Sequence, residues 1–296
     1  MSEHLAESLR PWLQQPAAAR IAHLQAPRWI GTQAARNALD LLQACLDRAP
    51  ALRTRGVMLI GPYANGKSMI AERFAIMDRR RAETERNARR VVLVQTREGS
   101  GLVNFYAGIL AALEAPLIRT RDTAAKAEQL DHLLRQLKPR VIVFDEFHNC
   151  LRGRNRDIEA IFAVLRRFGR DYDLSPVLVG ELTIFDHIMV TAEMASRFQL
   201  APVPRWSYDE AYLTLLDSLE GALPLAKSSG LSDEPMARLI FELSEGLIGE
   251  TVAIVTAAAV AAVRSGAEHI SRNSLRDLGY IPLSQRRQTV IREALA

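Results

Sequence analysis

The sequence predicts an α/β fold: a parallel β-sheet with helices on both faces, followed by a small all-helical domain. Three observations carry that prediction. Short all-apolar runs recur at residues 57–60, 91–94, 141–144 and 177–179. Helical stretches separate them, and after Pro202 and Pro204 the strand pattern stops. Apolar runs without polar alternation mark strands buried on both faces, as in a parallel sheet under two helical layers.

Taken in order, residues 1–50 read as helices broken by Pro11, Pro16 and Pro27, with a helical period through Ala34, Leu39, Leu41, Leu42 and Leu46. The first strand runs from Gly56 to Gly61. Helices follow at 68–81, 102–113, 123–137 and 157–168, alternating with the other strands. Beyond the composition shift at 202–206 come helices at 207–220, 234–245 and 250–264. The domains expected are an N-terminal helical segment 1–50, an α/β core 51–205, a helical domain 206–275 and a C-terminal tail 276–296.

Composition bounds the function classes. The chain has 296 residues, 48% hydrophobic and 24% charged, with a net charge of +4. That length fits about two domains at roughly 150 residues each, and the balance excludes disordered and collagen-like classes. The longest apolar stretch, 252–263, is shorter than the about 20 residues a bilayer span needs. The start, MSEHLAESLRPWLQQ, has no apolar signal core. Cys45 and Cys150 cannot form a disulfide framework or a zinc site by themselves. The expectation is a soluble, cytoplasmic protein with no membrane association. Only four of the 38 basic residues are lysines (Lys67, Lys126, Lys138, Lys227), so 34 are arginines. Codon usage and phosphate recognition both account for such an excess.

The chemistry is concentrated in four places. Gly61-Pro62-Tyr63-Ala64-Asn65-Gly66-Lys67-Ser68 fits the phosphate-loop pattern G-x-x-x-x-G-K-[ST], with a strand before it and a helix after it. Its backbone N–H groups can cradle phosphates at a helix N-terminus. In this role Lys67 reaches the β- and γ-phosphates of ATP and Ser68 ligates Mg²⁺. Met69 continues the loop into the helix. The run 141–144 ends in Asp145 and Glu146. Asp145 is the second Mg²⁺ ligand, and Glu146 polarises the attacking water. His148 and Asn149 follow as supporting residues. The run 177–179 leads to Glu181 and Thr183. Thr183 is the candidate to contact the γ-phosphate or orient the water, with Glu181 as the alternative and a helix cap as the plain reading of Thr183. Arg197, just before the boundary, is a candidate arginine finger offered to a neighbouring subunit.

Three arginine clusters remain. The first (Arg79, Arg80, Arg81, Arg86, Arg89, Arg90) is interleaved with acids and reads as a solvated helix end. The other two, Arg119 with Arg121 and Arg152 with Arg154 and Arg156, are short loops. They fit either phosphate gripping in a channel or plain solvation.

Together these features resemble AAA+ ATPases, and within them the TniB/TnsC group of transposition regulators. The resemblance extends beyond the generic motifs. It includes Pro27-Arg28-Trp29-Ile30-Gly31, Met69-Ile70-Ala71-Glu72-Arg73-Phe74, Phe144-Asp145-Glu146-Phe147-His148-Asn149, Ser196-Arg197-Phe198, Pro204-Arg205-Trp206 and Leu243-Ser244-Glu245-Gly246-Leu247-Ile248-Gly249-Glu250. It implies a helical lid and a homo-oligomer, ring or filament, on double-stranded DNA. The implied partners are a DDE-type transposase and a target-selection protein, with ATP hydrolysis timing disassembly. It also implies that Trp29 and Ile30 lie near the adenine and that Arg197 acts in trans. Where many AAA+ lids carry an arginine, roughly G-x-x-R, Gly249-Glu250-Thr251-Val252 has valine, so no second-sensor arginine is assigned. The alternatives are an IstB-like helper ATPase or DNA loader, and a nucleotide switch in signalling or secretion that binds no DNA. A scaffold that never hydrolyses ATP has little use for Glu146.

Overall fold

The computed structural model describes residues 4–51, 54–85, 89–97, 99, 101–116, 122–190 and 192–295. The chain divides into two compact units, one of Gly31–Pro204 and one combining Met1–Ile30 with Arg205–Ala296. The N-terminal segment 1–50 is thus shared between them.

In the unit Gly31–Pro204, the described residues form one sheet of five parallel strands. They are β1 (Gly56–Ile60), β2 (Val91–Gln95), β3 (Val141–Asp145), β4 (Ser175–Gly180) and β5 (Phe198–Pro202), in the order β2-β3-β4-β1-β5. Strands β1, β3 and β4 are buried along their whole length, which is why they read as unbroken apolar runs. The apolar runs mark only four strands, and β5, which ends at Pro202 where the strand pattern stops, is the fifth. This strand lies on the edge, with Gln199 and Leu200 exposed and Pro202 at its end, so it lacks the apolar signature of a central strand.

The helices Gln33–Asp47, Lys67–Glu85, Leu102–Ala112, Thr123–Leu137 and Asn155–Asp171 belong to this unit. Thr32 caps the first by accepting from the Ala35 N–H at 3.1 Å. Phe105, Phe144, Phe147, Phe162 and Phe168 pack together in one aromatic core. The first arginine cluster is partly structural. Buried Asp78 accepts from the Arg90 and Val91 N–H groups at 2.9 Å each, fixing the approach to β2. Arg79 and Arg80 are exposed, Arg81 pairs with Glu85, and Arg86 lies outside the described residues.

The other unit is helical: Ala17–Gln25, Glu210–Glu220, Glu234–Ser244, Ile248–Ser265, Arg272–Asp277 and Arg286–Leu295. Its core joins Leu24 to Tyr212, Leu216, Ile240, Ile254 and Val255. Buried Arg20 ties the N-terminal segment in, pairing with Glu268 and donating to the Pro224 carbonyl. Pro11 lies within a 3-10 turn, Glu7–Gln14, rather than breaking a helix, and Pro16 caps Ala17–Gln25. The apolar stretch expected at 252–263 also needs correcting. The helix Ile248–Ser265 is, among the described residues, the one helix long and apolar enough to cross a membrane by length and composition. Half of it is buried in its unit, and the carboxylate of Glu250 in its first turn accepts from Tyr280 Oη at 2.5 Å and from Arg286.

Candidate functional site

Strand β1 delivers the chain to Gly61, and the helix Lys67–Glu85 takes it away. Between them Ala64 (φ 53°) and Gly66 (φ 83°) are left-handed, the conformation that turns successive N–H groups into one concavity. Ala64 holds this against its intrinsic preference, at about 1 kcal/mol. The loop is anchored from behind. The Asn65 side chain donates to the carbonyls of Val203 and Pro204 at 2.8 and 2.6 Å, and a Cβ on Gly61 would lie 2.2 Å from the Val203 oxygen. Tyr63 is exposed, as is Met69 in the first helical turn.

Lys67 is buried and donates to the Pro62 carbonyl at 2.6 Å, closing the loop on itself. Burial pulls its amine below the ordinary lysine range, and the nearby Glu146, Glu181 and Asp145 carboxylates oppose that. The buried amine is held beside the loop, where phosphate oxygens can replace the Pro62 carbonyl as its hydrogen-bond acceptors.

Strand β3 brings Asp145 beside the loop. Ser68 Oγ lies 3.1 Å from Asp145 Oδ1, and Gln95 Nε2 is 3.3 Å from Oδ2. Gln95 pairs with Asp145 across β2 and β3 and was not singled out from the sequence. The available signal was a polar side chain ending the apolar run 91–94. Glu146 is left-handed (φ 53°, ψ 39°), a conformation that a non-glycine residue keeps only where its surroundings hold it. Its carboxylate is partly exposed and lies 3.4 Å from His148 Nε2. Asn149 donates to the Thr96 carbonyl, tying the turn after β3 to the end of β2.

At the tip of β4, Glu181 precedes the helix Leu182–Met189, and Thr183 is exposed in its first turn. Of the two, Glu181 is the one whose charge acts on Lys67.

Arg197 sits at the other end of the sheet. Its carbonyl accepts from the Gly56 N–H, where β1 begins, and its side chain pairs with Glu193 at 2.9 Å. The phosphate loop leaves the opposite end of β1, and five residues at about 3.3 Å each put roughly 16 Å between the two ends. That is beyond an arginine's reach, so Arg197 cannot serve its own loop.

Trp29 and Ile30 belong to the helical unit, where Ile30 packs on its core and Arg28 donates to the Ala222 and His23 carbonyls. Arg152, Arg154 and Arg156 are exposed on the segment after the 3-10 turn Phe147–Leu151. Arg119 and Arg121 lie outside the described residues.

The donor set suits a hard cation held with a nucleotide. One hydroxyl and one carboxylate converge, and the described residues contain no cluster of three His, Cys, Asp or Glu side chains that could hold a metal alone. Magnesium is ordinarily held by one or two protein oxygens plus phosphates and water.

The fold is that of ORC/Cdc6-type AAA+ proteins. The chain superposes on the Aeropyrum pernix ORC1 protein in complex with DNA with a TM-score of 0.65 and 17% identity, covering 87% of this chain and 68% of that one. For the Aeropyrum pernix ORC2 protein in its ADPNP–ADP complexes the values are 0.63, 15%, 86% and 70%. For Cdc6p from Pyrobaculum aerophilum they are 0.59, 16%, 84% and 67%. No curated protein matches the chain in sequence. The family model described as "Bacterial TniB protein" matches residues 20–208, more than half of the chain, and with the AAA+ core built around Lys67, Ser68 and Asp145, the chain belongs to the TniB family.

Proposed function

We propose that this chain is an ATP-dependent, DNA-binding regulator of transposition. It oligomerises on double-stranded target DNA and recruits or activates a DDE-type transposase, with ATP hydrolysis timing disassembly. The observation that carries the reading is the meeting of the phosphate loop and the acidic strand tip, Ser68 against Asp145 with Glu146 next in line. Membership of the TniB family supports the transposition context. The DNA complex of the similar ORC1 protein and the nucleotide complexes of ORC2 support DNA and nucleotide as ligands of this fold.

In this reading the backbone of Gly61, Pro62, Tyr63, Ala64, Asn65, Gly66, Lys67, Ser68 and Met69 wraps the phosphates. Lys67 exchanges the Pro62 carbonyl for phosphate oxygens. Ser68 and Asp145 hold Mg²⁺, which when bound neutralises the charge developing on the phosphates. Glu146 accepts a proton from the water that attacks the γ-phosphorus as the bond to the β-phosphate oxygen breaks. Glu181 or Thr183 orients that water. Trp29 and Ile30 lie along the adenine. Arg197 serves a neighbour's phosphates, which makes hydrolysis depend on assembly. A target-selection protein and a cytoplasmic setting belong to the same reading.

Electron microscopy of the protein on duplex DNA tests it, comparing ATP, a slowly hydrolysed analogue and ADP. Rings or filaments on DNA in the two ATP-like states, and bare DNA with ADP, are expected. Assembly indifferent to nucleotide, or no association with DNA, overturns the reading.

A further inference from the structure

His148 lies on the 3-10 turn Phe147–Leu151, directly behind β3, and its ring is nine-tenths buried. One ring nitrogen, Nε2, faces the Glu146 carboxylate at 3.4 Å. The other, Nδ1, is buried without a hydrogen-bond partner among the described residues. The space for the ring comes from Gly180 at the end of β4. A Cβ there would lie 3.1 Å from Nδ1 and 2.7 Å from Ile184 Cδ1.

These facts assign the ring's two ends different jobs. An ionised carboxylate only accepts, so the nitrogen facing it is best served carrying the hydrogen, and Nδ1 is then a bare lone pair. Buried polar atoms are normally satisfied, and a residue needed only to fill this space is better apolar. The imidazole is accounted for by its Glu146 end. Glu146 meanwhile sits in a left-handed conformation at a strand tip, with its carboxylate partly open to solvent, and needs something to fix its direction.

We propose that His148 is the positioning residue of Glu146. Its Nε2–H holds one carboxylate oxygen and leaves the other turned outward to take the proton of the attacking water. The proposal rests on the ATPase reading above. It routes no proton through the imidazole, and its effect falls on the chemical step and not on nucleotide binding.

The test compares three variants under saturating ATP and DNA. His148→Phe keeps the volume and removes the donor, His148→Ala removes both, and His148→Gln returns an N–H donor. Phe and Ala are expected to lower kcat by about 10- to 100-fold, up to the scale for a catalytic group misplaced by about 1 Å, with KM and nucleotide affinity within about twofold of the parent. Gln is expected to recover most of the loss. Parental kcat in both the Phe and Ala variants, a kcat above the parent's in either, or a loss confined to KM overturns the proposal. The parent protein separates this from failure of the underlying reading: if it binds ATP without ever hydrolysing it, the ATPase reading falls before any variant is compared.

Discussion

The Ser68 hydroxyl lies 3.1 Å from Oδ1 of Asp145, so the first turn after the phosphate loop and the tip of the third strand already touch. Both oxygens are the expected magnesium ligands, and their distance leaves a cation to be gained by a small separation rather than a rearrangement. Ser68→Ala removes one ligand and its hydrogen bond together while leaving the backbone cradle and Lys67 intact. Nucleotide affinity with magnesium is expected to fall about tenfold or more, and affinity in chelator to stay within about twofold. Titration of a fluorescent ATP analogue with and without EDTA reads both numbers. Equal losses in the two conditions would assign Ser68 to the phosphates instead.

Glu146→Gln keeps the shape of the strand tip and removes the proton acceptor. ATP binding is expected to stay near the parental level, while turnover falls by about 10² to 10⁴. If hydrolysis times disassembly, oligomers on DNA outlive those of the parent protein. Dissociation from immobilised duplex after dilution, alongside steady-state phosphate release, checks both. Normal turnover in this variant would remove Glu146 from the chemical step.

How much of this was legible beforehand depended on how each residue is buried. Strands β1, β3 and β4 were readable because both faces are covered and every position must be apolar. Strand β5 was not, since an edge strand with Gln199 and Leu200 exposed carries no such requirement. The phosphate loop and Asp145–Glu146 announce themselves because their chemistry needs fixed residue types at fixed spacing. The contributions of Gln95, the glycine at 180 and His148 depend on which strands are neighbours. The order β2-β3-β4-β1-β5 places Gln95 and Gly180 on either side of β3, and that pairing is a tertiary fact no local pattern encodes. Arg197 stood out as a residue of interest by its place in the chain. That it lies at the far end of the sheet from its own loop emerges only from its register beside Gly56.

The helical unit has its own acid-sensitive fastening at Glu220. Burial pushes this carboxyl up, yet donation from the Leu231 N–H, the Ser228 hydroxyl and the Ser229 and Gly230 N–H groups holds it below the ordinary range. A carboxylate whose folded pKa is depressed contributes stability above its unfolded pKa and loses it as pH falls through the folded value. Glu220→Gln places an amide among four donors and is expected to cost about 2 kcal/mol at neutral pH, with the difference from the parent shrinking in acid. All three tryptophans, Trp12, Trp29 and Trp206, lie in this unit, so tryptophan-detected denaturation reports on it alone. A variant as stable as the parent at neutral pH refutes the account.

The exposed arginines after β3 distinguish phosphate contact from plain solvation. Neutralising Arg152, Arg154 and Arg156 together is expected to weaken duplex binding in the presence of ATP. It should also flatten the slope of log affinity against log salt by about one for each phosphate that no longer meets a guanidinium. ATP affinity in the absence of DNA should not change. Fluorescence anisotropy over a salt series measures the slope. An unchanged slope with unchanged affinity would make these side chains solvent-facing surface.

The sharpest prediction concerns Arg197, because geometry removes one of its two options. Its backbone lies beside Gly56 where β1 begins, roughly 16 Å from the loop at the strand's other end by strand rise, so a catalytic role can be exercised only on another subunit. Its salt bridge to Glu193 is exposed and worth little, so the guanidinium can leave it at small cost. Arg197→Ala alone is therefore expected to bind ATP normally and hydrolyse it at least about 10³ times more slowly, the scale of a transition-state arginine. Glu146→Gln alone is equally inactive, for a different reason: it has the arginine and lacks the base. Mixed together, an Arg197→Ala subunit supplies an intact Glu146 site, and a Glu146→Gln neighbour supplies the arginine that completes it. Hydrolysis should reappear in the mixture, peaking near equal proportions and depending on total protein concentration and DNA. Parental activity in Arg197→Ala, or a mixture no more active than its parts, would confine this arginine to its salt bridge.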